Sequence, residues 1–157
     1  MIILGIDPGT IIAGFCIMNV LDKKISIFDY GIIKFNRKMM LQSRIFQFYN
    51  DINELIVKHN VECISLETPY LGENAQSFLK LGYLRGIIYL ICEQKKIILR
   101  EFAPTAIKLQ VAGSGRATKE EVQVMIKKLF PKIGNFETLD ASDAVAIALC
   151  GAMEIKR

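Results

Sequence analysis

Two short apolar runs in this chain each stop abruptly at an acid. Ile2-Ile3-Leu4-Gly5-Ile6 ends in Asp7-Pro8-Gly9, and Cys63-Ile64-Ser65-Leu66 ends in Glu67-Thr68-Pro69. Apolar runs of this length, bounded by turn residues, read as fully buried strands. A carboxylate at the margin of a core is costly unless something compensates its charge. A second pair of acids, in Asp140-Ala141-Ser142-Asp143, opens a long Ala-rich apolar stretch. Three residues apart on a helix, Asp140 and Asp143 share a face within one turn.

Carboxylates that converge from distant segments repel one another unless a cation lies between them. One histidine and four scattered cysteines without CxxC spacing offer no set for a soft metal. The expectation is therefore an oxygen-lined Mg²⁺ or Mn²⁺ site, and with it phosphate chemistry. Two ions roughly 3.5–4 Å apart would activate a water and stabilise the leaving oxygen of a phosphodiester. Taken singly, each acid has a plainer reading. Asp140 suits a helix N-cap, Asp143 a first-turn dipole partner, and Asp7 a turn before Pro8-Gly9. Together they point to a site.

The rest of the chain supplies a frame for such a site. Ile2–Ile6, Gly14–Val20 and Ile25–Lys34 read as strands of an antiparallel meander, with a polar turn at Leu21-Asp22-Lys23-Lys24. Leu41–Asn60 carries Leu41, Ile45, Phe48, Ile52, Leu55 and Ile56 on one helical face. A strand over Val61–Glu67, a helix over Asn74–Gln94 and a strand over Lys96–Phe102 follow, and Pro104 marks a further helix start. Thr118 and Glu121 have capping-box spacing before a helix over Val122–Phe130, and Asp140–Met153 forms the last helix. The order β-β-β-α-β-α-β-α-α-α predicts an α/β fold. Its mixed five-stranded sheet, a meander followed by parallel strands, is flanked by helices. With 157 residues and no linker or repeat, residues 1–157 are expected to form a single domain.

Charge and hydropathy narrow the setting. Between Lys95 and Lys132 nine Lys or Arg face three Glu, a net +6 on a chain of +4 overall. A polyanionic partner on that half is one reading; a solvated basic surface is equally consistent. No apolar run approaches the roughly 18 residues of a membrane span. Ile2-Ile3-Leu4 is too short for a signal-peptide core, and the cysteines read as reduced thiols, so a cytoplasmic protein is expected. His59 reads as a surface residue at the end of its helix. The Asn74–Gln94 helix is apolar nearly all round, more than one sheet face can cover, and Gly82 and Gly86 leave room for a close neighbour.

Several blocks, in order, carry a resemblance. Ile3-Leu4-Gly5-Ile6-Asp7-Pro8-Gly9-Thr10, Leu66-Glu67, Asn74-Ala75, Leu79-Lys80-Leu81-Gly82-Tyr83-Leu84-Arg85-Gly86, Val111-Ala112-Gly113-Ser114-Gly115, Lys119 and Asp140-Ala141-Ser142-Asp143-Ala144 resemble the RuvC-family crossover junction endodeoxyribonucleases. The resemblance implies a ribonuclease-H-like fold, a homodimer, and Mg²⁺-dependent resolution of Holliday junctions by paired symmetric nicks. It implies Asp7, Glu67, Asp140 and Asp143 as metal-binding catalytic acids, and a branch-migration helicase complex as a partner. Lys108 and Lys119 match family lysines near the scissile phosphate, where an ammonium would offset transition-state charge. Tyr70 stands where the family carries Phe and keeps an aromatic face for stacking on a base. Glu73 stands where the family often carries Lys, which removes a phosphate contact. Gly113-Ser114-Gly115-Arg116 suits close approach to a DNA strand, or simply a flexible connector. A phosphate loop of the actin and sugar-kinase class is a rival for Gly5–Thr10, but that class needs two such domains and the chain holds one copy.

Overall fold

The computed structural model describes residues 1–69, 75–136 and 138–155. Its strands are β1 (Ile2–Asp7), β2 (Ile12–Leu21), β3 (Lys24–Lys34), β4 (Cys63–Glu67) and β5 (Ile98–Phe102). Its helices are α1 (Leu41–His59), α2 (Ala75–Lys95), α3 (Pro104–Ala112), α4 (Lys119–Leu129) and α5 (Leu139–Ile155). The element order is the one the sequence predicts.

The strands form one mixed sheet in the order β3-β2-β1-β4-β5. β1 pairs antiparallel with β2 and parallel with β4, and β4 pairs parallel with β5. Asp22 and Lys23 both take positive φ, at 50° and 62°, in the two-residue turn of the β2–β3 hairpin. That backbone matches the twist of the flanking strands.

Side-chain alternation sorts the core into two layers. Leu4, Ile6, Ile64 and Leu66 pack under α1 and α2 with Phe48, Ile52, Ile56, Leu84, Ile88 and Ile91. Ile3, Cys16, Cys63 and Phe102 pack on the other face under α3, α4 and α5. Among the described residues no helix is long and apolar enough to cross a membrane.

β4 and β5 begin two residues later than the expected Val61 and Lys96, for one reason. Asn60 and Lys96 adopt left-handed conformations at φ 54° and 56° where α1 and α2 end. The next amides, of Val61 and Ile97, then donate back to Ile56 O (3.1 Å) and Cys92 O (3.0 Å). Such a C-terminal closure holds these residues to the helix and delays the strand. His59 is also not the plain surface residue expected. Its side chain is only 14% exposed, and Nε2 lies 3.4 Å from Asp29 Oδ2 on β3.

Candidate active site

The same alternation that builds the core aims two acids at one face. Along β1, Ile3, Gly5 and Asp7 point to the α5 side; along β4, Cys63, Ser65 and Glu67 do likewise. Because Ile6 stands beside Leu66 in the parallel register, Asp7 and Glu67 emerge side by side at the carboxyl ends of neighbouring strands. Sites of α/β sheets collect at such ends.

α5 brings the other two acids because nothing holds it off the sheet. A Cβ at Gly14 would lie 2.0 Å from the Asp140 carbonyl oxygen, and one at Gly5 2.5 Å from that of Ala144. Only glycine admits helix backbone this close. Gly14 is the cross-strand partner of Asp7, so the first turn of α5 is seated over the end of β1. Farther along, Gly151 meets Ser65 of β4, where a Cβ would fall 2.1 Å from Ser65 Oγ.

The acids feel one another. The Asp7 carboxyl is pushed up to about 7, first by burial and then by the charges of Asp143, Glu67 and Asp140, with Lys119 opposing. Burial and Asp143 also raise Glu67, against Lys119, Lys108 and Arg85. Lys119, the first residue of α4, is held in place by the Thr118 capping box, in which Thr118 and Glu121 satisfy each other's amides. Its ammonium donates to Asp143 Oδ2 at 2.5 Å. Burial works against that ammonium, but the bond to Asp143 and the charges of Asp143, Asp7 and Glu67 lift its pKa above the ordinary lysine value. Lys108 on α3 lines the same cleft, with Glu67, Lys119 and Asp143.

The donor set fits a hard divalent cation. It is all carboxylate oxygen, its charges crowd one another, and a lysine already serves as counter-ion. Among the described residues no three acids, histidines or cysteines are drawn close enough to hold an ion as they stand.

The remaining sequence candidates fare differently. Arg116 is exposed on the α3–α4 connector, where its amide donates to Ser114 Oγ at 3.3 Å. Tyr70 and Glu73 lie outside the described residues. Arg85 was not singled out from sequence, yet it is only 6% exposed and donates to the Glu67 main-chain carbonyl. A single charge within the apolar stretch between Lys80 and Glu93, beside Leu84 and Ile88, was the available signal.

Comparison with known proteins gives the family. The model of the Crossover junction endodeoxyribonuclease RuvC family matches residues 3–151. The RuvC of Chloroherpeton thalassium is 39% identical over 151 residues, 96% of this chain and 81% of that protein. The RuvC of Protochlamydia amoebophila is 37% identical over 152 residues, covering 97% and 90%. Among solved structures, T. thermophilus RuvC in complex with a Holliday junction substrate superposes with a TM-score of 0.90 at 22% identity, over 99% of this chain and 95% of that one. The yeast mitochondrial Holliday junction resolvase gives 0.71 at 18% identity, over 98% and 78%. These likenesses identify the fold as ribonuclease-H-like. A family model spanning nearly the whole chain, and relatives this similar over this much of it, show that the protein belongs to the RuvC family of crossover junction endodeoxyribonucleases.

Proposed function

We propose that residues 1–157 form one nuclease domain that resolves Holliday junctions in DNA recombination and repair by paired symmetric nicks. The observation that supports this reading is the meeting of Asp7, Glu67, Asp140 and Asp143 with Lys119 and Lys108 at the carboxyl end of the β1–β4 pair.

The four acids would hold Mg²⁺, or Mn²⁺ in its place, with two ions per site. When bound, the ions lower the pKa of a water and stabilise the leaving oxygen. The chain's own residues do the rest. Burial of Asp7 and its three acidic neighbours concentrates negative charge where the ions are needed. The Lys119 and Lys108 ammoniums draw in phosphate oxygens and offset charge that develops on them. Arg116 contacts the backbone of the bound strand, and Tyr70 stacks on a base at the crossover.

Two cuts at symmetric positions call for two sites related by a two-fold axis. Leu79, Tyr83 and Leu90 on α2 are each more than 40% exposed, and Gly82 and Gly86 stand open beside them. This face supports a homodimer. The dimer works in the cytoplasm alongside a branch-migration helicase complex.

The test is nicking of a synthetic mobile four-way junction, beside linear duplex and an RNA–DNA hybrid, with Mg²⁺ and with EDTA. Paired nicks confined to the junction and lost in EDTA are expected. Equal cutting of linear duplex, or a preference for the hybrid, would replace this reading with another nuclease of the same fold.

A further inference from the structure

Arg85 is a buried charge that the mechanism above leaves unused. It sits on α2 between Leu84 and Gly86, within the layer opposite α5. A guanidinium removed from water needs partners for its planar fork of donors. Nη1 donates to the main-chain carbonyl of Glu67. Nη2 donates to Glu101 Oε1 on β5 and to the Tyr89 hydroxyl at 3.0 Å. Tyr89 Oη in turn donates to Glu101 Oε1 at 2.8 Å, and the guanidinium carbon lies 5.7 Å from the Tyr89 ring centre. The three side chains thus close a ring of polar contacts, one member of which grips the backbone of an acid in the site.

That grip falls where the sheet is running out. Glu67 is the last residue of β4, and the Thr68 amide makes the final pairing, to Phe102 O at 2.8 Å. Beyond it the chain turns into Pro69. The peptide plane of Glu67 therefore sits at a free end, where rotation would swing its carboxylate away from Asp7. Arg85 pins that plane from the opposite face of the sheet. The same residue adjoins Gly86, and Tyr89 is 42% exposed on the open side of α2.

We propose that Arg85 is a positioning residue: clamped by Glu101 and Tyr89, it fixes the Glu67 carboxylate through the Glu67 carbonyl and ties the exposed face of α2 to the catalytic acids. This rests on the nuclease reading above. The charge of Arg85 also favours the ionised form of Glu67, in keeping with its place beneath it.

The test compares the parent with Arg85→Gln, Arg85→Lys, Glu101→Gln and Tyr89→Phe. Two quantities are read: Mn²⁺ affinity by calorimetric titration, which needs no turnover, and kcat with junction Kd. Loss of a group that orients a metal ligand typically weakens metal binding about 10–100-fold. Arg85→Gln should show that loss with junction Kd unchanged. Arg85→Lys, which keeps charge but not the fork, should recover only part of it. Tyr89→Phe and Glu101→Gln should move the same way by less, and they carry the test if Arg85→Gln fails to fold. Lowered Tm in all variants with parental Mn²⁺ affinity and kcat would make the cluster purely structural and overturn the proposal. A parent that binds Mn²⁺ but cuts no junction would instead count against the nuclease reading.

Discussion

Lys119 Nζ stands 2.5 Å from Asp143 Oδ2, so the acid cluster carries a cation of its own on the first residue of α4. The lysine side chain is 57% exposed and can swing away, whereas Asp143 is 22% exposed and fixed to α5. Lys119 therefore offsets part of the cluster's charge and, in the proposed reaction, would leave it for phosphate. Lys119→Gln should lower nicking about 100–1,000-fold, the size of a lost electrostatic donor in a reacting site. Without metal its Tm should drop at alkaline pH, and Mg²⁺ should restore more of that loss than it adds to the parent. A variant that cuts at the parental rate would confine Lys119 to charge balance.

Asp7→Asn, Glu67→Gln, Asp140→Asn and Asp143→Asn should each bring nicking to background while leaving junction binding near normal. Amides keep the shape of the carboxylate and lose the charge that retains a divalent ion. In the proposed reading binding would rest on phosphate contacts elsewhere and should keep its dependence on salt. Gel shifts in Ca²⁺ or EDTA, beside a nicking assay in Mg²⁺, separate the two. Substantial cleavage by any one variant would remove that acid from the site.

Asp7 gives the metal-free protein a pH-dependent stability of definite sign. An unstructured Asp titrates near 3.8, and burial with three neighbouring acids holds Asp7 up at about 7. The folded chain thus binds the proton more tightly than the unfolded one. The stability this contributes is complete below pH 3.8 and is lost as pH rises through about 7. Glu67, raised for the same first reason, works in the same direction. In EDTA, Asp7→Asn should raise Tm by about 3–8 °C at alkaline pH and by little in acid. Parallel Tm curves for variant and parent would show that the crowding is relieved some other way.

Gly86→Arg should separate dimer formation from folding. A Cβ at Gly86 meets nothing within 4 Å and the position is exposed, so a longer side chain can run out into solvent, and removing a mid-helix glycine favours the helix by up to about 1 kcal/mol. The variant should keep its circular dichroism, sediment as a monomer, and leave nicks unpaired. An unmodified protein that is monomeric at micromolar concentration yet still makes paired cuts would rule out the α2 dimer.

The parts of this molecule that follow local rules were readable before any coordinates. β1 ends at an acid because a buried run must end somewhere, and Thr118 with Glu121 announces α4 by a reciprocal bond spanning three residues. The shared face of Asp7 and Glu67 follows from the two-residue period of a strand. What escaped was set by contacts distant in sequence. Arg85 looks like one charge on an apolar helix until Glu101, sixteen residues on, is seen beneath it. His59 depends on Asp29, thirty residues before it. The late start of β4 had a signal in Asn60, a residue that tolerates the left-handed region at a helix end, whereas nothing in the Lys96 side chain advertises the same turn before β5.

The seating of α5 on Gly5 and Gly14 also orders events in time. Asp7 and Glu67 leave the ribosome well before Asp140 and Asp143, which arrive with α5. Since α5 lies directly on β1 and β2, the earliest strands stay uncovered on that face until α5 has been made. Such long-range closure is slow compared with local helix formation. A nascent chain that lacks α5 consequently holds only Asp7 and Glu67 of the four acids, on an open sheet. Assembly of the four-acid cluster and covering of that sheet face become one event, completed when α5 docks.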